Sequence, residues 1–199
     1  PRIIYSLPFL SIIDQNASVI EEVFRSTLKR RPTNDLFLTH HHLSDYSYKA
    51  ENIEYDVQES EIFTEGWDSE IIITTFVQFF HTLFSNRNSA IRKFHKIAGS
   101  IVILDEIQSF PPKYWLLFKK MAESMGRYLN TYFILSTATQ PAIFDAPKEL
   151  IPDKKKYFES FNRNRLTVKI ASPKSISEFA KNFIGEQKEE PKNTLIILN

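Results

Sequence analysis

The feature that most constrains this chain is the run Ser100-Ile101-Val102-Ile103-Leu104-Asp105-Glu106-Ile107-Gln108, an apolar stretch that ends abruptly in two adjacent carboxylates. Successive branched or long aliphatic residues without polar alternation suit a strand buried on both faces of a parallel sheet, so the carboxylates emerge at its carboxyl end. In open α/β sheets ligands bind beyond that edge. One carboxylate there suits a magnesium ion held through its water shell, and its neighbour suits the orientation and deprotonation of an attacking water. Together they are the acidic half of a nucleotide triphosphatase site.

The phosphate-cradling half does not accompany it. A Walker A loop needs Gly-x-x-x-x-Gly-Lys-Ser/Thr, whose backbone N–H groups close around phosphates. The chain has 4 Gly, at Gly66, Gly99, Gly126 and Gly185, and no two are close enough to form one. It also opens without Met on Arg2-Ile3-Ile4-Tyr5, which already reads as a buried strand. The expectation is an internal segment of a longer protein, cut between the two halves of its own active site.

The chain's 199 residues, 42% of them hydrophobic, can form a proper core. With 0 Cys there is neither a disulfide framework nor a thiolate metal site. Apolar stretches are interrupted by Thr, Gln, Asp or Pro well short of the ~20 residues a membrane span needs, so no membrane is expected and the cytoplasm is the default location. A net charge of +1 is too small to announce nucleic-acid binding by itself.

Along the chain, strand patterns alternate with helix patterns. Residues 2–6 read as a strand, and Ser11 as the N-cap of a helix to about residue 30 with Ile13, Ala17, Ile20, Phe24 and Leu28 on one stripe. Residues 36–38 read as a second strand and 40–68 as a polar surface excursion with at most a short helix. A third strand at 71–74 leads into a helix carrying Phe76, Phe79, Phe80 and Leu83. After the fourth strand at 101–104, Pro111-Pro112 opens a helix that buries Tyr114, Trp115, Phe118 and Met121 and ends near Gly126. Residues 132–135 read as a fifth, buried strand. The fold class is α/β, a doubly wound, mainly parallel sheet with helices on both faces. Beyond Pro152 a Lys/Asn/Arg-rich connection, a strand near 166–170, a helix near 175–184 and a strand at 194–198 read as the opening of a second domain.

A second chemical landmark is Leu135-Ser136-Thr137-Ala138-Thr139-Gln140-Pro141, another strand ending in polar groups. Its hydroxyls cannot replace carboxylates as bases, but they can hydrogen-bond to the acidic pair and to a facing domain, a coupling device rather than a catalyst.

Here the residues carry a resemblance. Asp-Glu-x-Gln after a buried strand, followed by a helix and a strand ending in Ser-Thr-Ala-Thr, resembles motifs II and III of superfamily 2 DExD/H helicases. More narrowly, Leu7-Pro8-Phe9-Leu10-Ser11-Ile12-Ile13-Asp14-Gln15-Asn16 resembles motif Ia of the CRISPR-associated helicase-nucleases of type I interference systems. Thr74-Thr75-Phe76-Val77-Gln78-Phe79 is similar to their motif Ic, Asp105-Glu106-Ile107-Gln108 with Phe110-Pro111-Pro112 to their motif II region, and residues 194–199 to the start of motif IV. Gln108 stands where many helicase relatives carry His or Asp. Alone, an Asp-Glu pair after a strand reads more often as a solvated strand end or helix N-terminus; the ordered set singles it out.

The resemblance implies a RecA-like P-loop NTPase fold lacking its P-loop strand, with residues 1–158 forming a first helicase lobe and 159–199 a linker and the beginning of a second. It implies an ATP-driven motor on single-stranded DNA, recruited by a guide-RNA surveillance complex and working with an HD-type nuclease in cis or in trans. Asp105 is then the magnesium-binding carboxylate and Glu106 the base. Gln108, Ser136, Thr137 and Thr139 couple ATP hydrolysis to movement, and Pro8, Ser11, Gln15, Thr74 and Thr75 line the DNA track, gripping phosphates without reading sequence. The isolated segment is expected to be catalytically dead. Two other readings stand beside this one: a superfamily 2 motor of another pathway, such as a restriction translocase or RNA helicase, and a degenerate RecA-like docking module.

Three further clusters have plainer explanations. His40-His41-His42 cannot all face one ion on a regular element and reads as part of a loop near the nucleic-acid track. Lys29-Arg30-Arg31 closes a helix, and Lys154-Lys155-Lys156 reads as a solvated linker. The aromatics after Thr75 and around Trp115 recur at buried spacing and belong to a core rather than to base-stacking platforms.

Overall fold

The computed structural model describes residues 1–42, 48–50, 53–139, 141–145, 147–160 and 175–189. They fall into two compact units, Pro1–Pro147 and Lys148–Asn199. In the first unit the elements run β1 (Ile3–Leu7), α1 (Leu10–Leu28), β2 (Phe37–His40), β3 (Lys49–Ala50), β4 (Ile53–Glu54), α2 (Val57–Gly66), β5 (Ile71–Thr75), α3 (Phe76–Phe84), α4 (Asn88–Ile97), β6 (Ile101–Asp105), α5 (Trp115–Leu129) and β7 (Tyr132–Ser136). The second unit contributes α6 (Lys154–Ser160) and α7 (Ile176–Glu189). The strands expected at 166–170 and 194–198 lie outside the described residues. Lys154-Lys155-Lys156 forms the first turn of α6 rather than a linker. No helix among the described residues is long and apolar enough to cross a membrane.

Five strands pair in the order β2-β5-β1-β6-β7, every pairing parallel. Strand alternation sends side chains to two different cores. Ile4, Leu38, Ile72, Val102 and Leu104 face Phe76, Phe79, Phe80, Leu83, Phe118, Ala122 and Met125, largely from α3 and α5. Leu7, Phe37 and Ile73, with Tyr5 and Ile71 beside them, face Ile13 and Ala17 of α1. This is the two-faced α/β architecture expected from the apolar runs, and each fully buried aliphatic side chain in it contributes roughly 1.5–3 kcal/mol. β7 departs from expectation. It closes one edge of the sheet, so its side chains are only partly covered and Tyr132 is 62% exposed.

Strand order also creates the site. From β1 the chain leaves through α1 toward β2, whereas from β6 it leaves through α5 toward β7 on the other side. Neighbouring strands whose connections diverge open a crevice beyond their carboxyl ends, the position at which doubly wound sheets bind ligands. β1 and β6 are that pair.

Local chemistry explains where the elements depart from expectation. α1 starts at Leu10 with extended Phe9 at its N-cap position and no side-chain cap, so Ser11 lies within the first turn. The apolar spacing Leu10, Ile13, Ala17, Ile20, Phe24 must face the sheet, and it outweighs the capping preference of a serine. Leu28 continues that stripe at the last residue of the helix but is exposed. α2 is not legible as an amphipathic helix because it buries Ser60 and Thr64, whereas α4 turns Ala90, Phe94 and Ile97 inward with Lys93 buried among them. Asp56 starts α2 by accepting the Glu59 N–H at 2.8 Å.

The larger core centres on aromatics. Phe80 stacks on Phe110 at 3.8 Å between ring centroids and meets Phe118 edge-on at 5.4 Å, and Phe118 meets Phe133 and Phe144 in the same way. Trp115 Nε1–H donates to the Phe110 carbonyl at 2.7 Å. These contacts seat the segment that follows the acidic pair. Because Phe118 is fully buried at the centre of this cluster, Phe118→Ala should destabilise the protein by about 3–5 kcal/mol, read as a lower urea midpoint. An unchanged midpoint would show that the cluster does not carry the core.

Candidate active site at the carboxyl edge of the sheet

Asp105 is the last residue of β6 and stands in register with Ser136, the last residue of β7. Glu106, immediately after it, adopts the left-handed conformation with φ 54° and ψ 39°. For a residue with a Cβ that conformation costs on the order of 1–2 kcal/mol and persists only when the surroundings enforce it. Here Ile107 and Phe110, both buried, pull the following 3-10 turn into the core. The turn closes through Ser109 N–H to the Glu106 carbonyl at 2.9 Å and Phe110 N–H to the Ile107 carbonyl at 3.0 Å. The abrupt change of backbone direction leaves Asp105 and Glu106, neighbours in sequence, as half-buried carboxylates with different partners at the carboxyl end of β6.

Each carboxylate has its own neutral partners. Asp105 Oδ2 accepts from the Tyr5 hydroxyl at 2.9 Å, and Oδ1 accepts from the Glu106 backbone N–H at 3.1 Å. Burial pushes the Tyr5 phenol up to about 12, helped by its hydrogen bond to Asp105 and the charge there, so Tyr5 remains a donor at neutral pH. Glu106 Oε2 accepts from Gln108 Nε2, while Gln108 Oε1 accepts from the Thr137 hydroxyl at 2.5 Å. Thr137 Oγ1 also lies 2.6 Å from the Thr139 carbonyl, and its single proton can serve only one of these acceptors at a time. A hydrogen-bonded path therefore runs from Glu106 through Gln108 to the polar segment after β7. Ser136 supplies the register and Thr137 the contact. Among the described residues no Lys or Arg forms an ion pair with Asp105 or Glu106. Two carboxylates left without a protein cation at a switch-point crevice have the donor set and charge that fit a hydrated divalent ion.

The comparisons with known proteins bear on the family and the fold. No family model matches the chain. The CRISPR-associated nuclease/helicase Cas3 of Haloferax volcanii is 32% identical over 150 residues, which is 71% of this chain. The chain belongs to the Cas3 family. It spans 16% of that relative's length. The crystal structure of T. fusca Cas3-ATP superposes with a TM-score of 0.54 at 19% identity, covering 87% of this chain and 19% of that one. T. fusca Cas3-AMPPNP gives a TM-score of 0.53 at 20% identity, over 72% of this chain and 16% of that one. T. fusca Cas3 gives 0.55 at 18% identity, over 72% and 17%. The fold shared with these Cas3 structures is the RecA-like α/β fold.

The other residues singled out in the sequence differ in availability. Pro8 follows β1 and is half-buried, whereas Ser11 and Gln15 are exposed on α1. Thr74 and Thr75 end β5 and are buried, and their hydroxyls have internal partners. Thr74, 0% exposed, donates to the His40 carbonyl at 2.8 Å, and Thr75 Oγ1 caps α3 by accepting the Gln78 N–H at 3.1 Å. These two hydroxyls therefore tie the end of β5 to β2 and to the start of α3.

The histidine run is corrected. His40 is the last residue of β2 and is 2% exposed, not part of a surface loop. Trp67 Nε1–H donates to His40 Nδ1 at 2.8 Å, which leaves the His40 proton on Nε2, facing Glu65 Oε1 at 3.4 Å. Glu65 Oε2 pairs with Lys93 Nζ at 2.6 Å, and Lys93 is 3% exposed. Among the described residues no group of three His, Cys, Asp or Glu could hold a metal ion. His41 Nε2 lies 4.0 Å from Asp14, and burial lowers its pKa.

The His40 hydrogen bond, together with Lys93, outweighs burial and holds the Glu65 carboxyl at about 2, against an ordinary 4.5. A depressed carboxyl pKa gives stability that is present above the unfolded value and lost as pH falls through the folded one. This contribution, on the order of 2–3 kcal/mol at neutral pH, should disappear between pH 4.5 and about 2. Glu65→Gln should lower the denaturation midpoint at pH 7 and flatten its acid dependence across that window. An equally steep acid dependence in the variant would contradict the assignment.

Proposed function

We propose that this segment supplies the hydrolytic carboxylates and part of the DNA-facing edge of an ATP-dependent single-stranded DNA translocase acting in CRISPR type I interference. The observation that carries the reading is the unneutralised Asp105–Glu106 pair at the diverging β1–β6 crevice, with Glu106 joined through Gln108 to Thr137. The relatives whose structures carry ATP and AMPPNP in their names share this fold.

In this reading Asp105 accepts hydrogen bonds from the water shell of a magnesium ion. When bound, that ion neutralises charge developing on the transferred phosphoryl oxygens. Glu106 orients the attacking water and takes its proton. Gln108 fixes the Glu106 carboxylate and, through Thr137 and Thr139 beside Ser136, connects its position to whatever faces the β7 end. Exposed Ser11 and Gln15, next to Pro8, offer polar groups to a sugar-phosphate backbone without base readout, and Thr74 and Thr75 shape that edge from within. The cofactors are ATP and magnesium, and the setting is the cytoplasm. A guide-RNA surveillance complex delivers the single-stranded DNA, and an HD nuclease, in cis or in trans, cuts it. Residues 1–158 form the first helicase lobe, 159–199 lead into the second, and these 199 residues alone hydrolyse no ATP.

Glu106→Gln preserves size and the contact with Gln108 but removes the base. In the full-length protein it should lower ATP turnover by about 100-fold or more while leaving ATP binding intact. Turnover at the wild-type rate would overturn the reading.

A further inference from the structure

Tyr5 lies on β1, not on the strand that carries the acidic pair, and no sequence motif singled it out. It is the Cα partner of Ile103, so its side chain shares a sheet face with Asp105 two residues further along β6. The ring packs with the α1-side core, beside Leu7, Ile13 and Ile73, while the hydroxyl reaches Asp105 Oδ2 at 2.9 Å. A tyrosine has two side-chain torsions, and the packed ring fixes both. The packing of the ring therefore holds the hydroxyl oxygen beside Asp105.

The Asp105 carboxylate is held from two sides. The Glu106 N–H takes Oδ1 and the Tyr5 hydroxyl takes Oδ2, which sets both the plane and the rotation of the group. Neither donor carries a formal charge, so the carboxylate keeps its negative charge for a cation. Each oxygen also keeps a lone pair for the water shell of an ion. Without the phenol, only the Glu106 N–H would restrain a side chain that is half open to solvent, and its oxygens could turn away from the crevice.

We propose that Tyr5 is a positioning residue for the nucleotide-associated divalent cation, acting through Asp105 by locking its carboxylate in the orientation that receives the ion's water shell. The inference rests on the reading of Asp105 as the magnesium-binding carboxylate. Groups that orient a metal-binding side chain typically govern affinity for the ion rather than the chemistry itself.

The test is binding of fluorescent N-methylanthraniloyl-ATP to the full-length protein, once in EDTA and once titrated with magnesium, for wild type, Tyr5→Phe and Asp105→Asn. Tyr5→Phe keeps the ring and removes only the hydroxyl. It should leave binding in EDTA and the thermal midpoint unchanged, and raise the magnesium concentration for half-maximal response by about 10-fold. Asp105→Asn should abolish the magnesium response. If Asp105→Asn keeps the wild-type response, the reading of Asp105 fails. If Asp105→Asn loses the response but Tyr5→Phe titrates like wild type, only the positioning role fails. A Tyr5→Phe variant that binds more weakly to the same extent in EDTA and magnesium, or that does not fold, would make Tyr5 a packing residue and overturn the proposal.

Discussion

Everything chemical in this molecule depends on strand direction. Because β1, β5, β6 and β7 run parallel in fixed register, their carboxyl ends reach one edge together, and Asp105 stands level with Ser136. The apolar side chains of β1, β5 and β6 enforce that register. They are divided between two buried faces, and a slip of one residue would exchange the faces, turning Ile4 and Val102 away from the phenylalanine cluster and Asp105 off its face. The divergence of the chain at β1 and β6 then leaves those side chains over a crevice instead of under a loop.

The aromatic core reaches the site through one turn. Glu106 is held in a left-handed conformation that it would not adopt by itself, and the force holding it there comes from Ile107 and Phe110. Phe110 is fixed from three directions, by stacking on Phe80, by its edge contact with Phe118 and by the Trp115 indole on its carbonyl. Packing energy thus sets the separation of the two carboxylates. On the far side, buried Lys93 and Glu65 support His40, and the His40 carbonyl takes the Thr74 hydroxyl at the end of β5. Two different interiors, one apolar and one ionic, shape the same edge.

The apolar parts of this fold were legible in the sequence and the polar interior was not. β1, β5, β6, β7 and α3 follow directly from runs of Ile, Leu and Phe, and the acidic pair falls where the end of an apolar strand predicts. α2 escaped because it buries Ser60 and Thr64 and shows no clear apolar stripe; α4 carries Ala90, Phe94 and Ile97 on one face, but that stripe is short and has Lys93 buried in its middle. Their inward polar groups answer to partners distant in sequence, Ser60 to the Tyr48 N–H 12 residues away and Lys93 to Glu65 of α2, and local periodicity cannot report such pairings. His40 read as a loop residue for the same reason. Tyr5 was invisible as part of the site because its partner, Asp105, is 100 residues along the chain. The exposure of β7 follows from strand order, which hydrophobic runs do not encode.

In the proposed reading Asp105 and Glu106 receive a metal–nucleotide complex. The most direct measurement is a crystal structure of the full-length protein with a non-hydrolysable ATP analogue and manganese, with the ion located by its anomalous scattering. A peak is expected about 4 Å from the Asp105 carboxylate, one water layer away, with the terminal phosphate between it and Glu106. An ion and nucleotide bound elsewhere, with Asp105 and Glu106 facing bulk solvent, would contradict it.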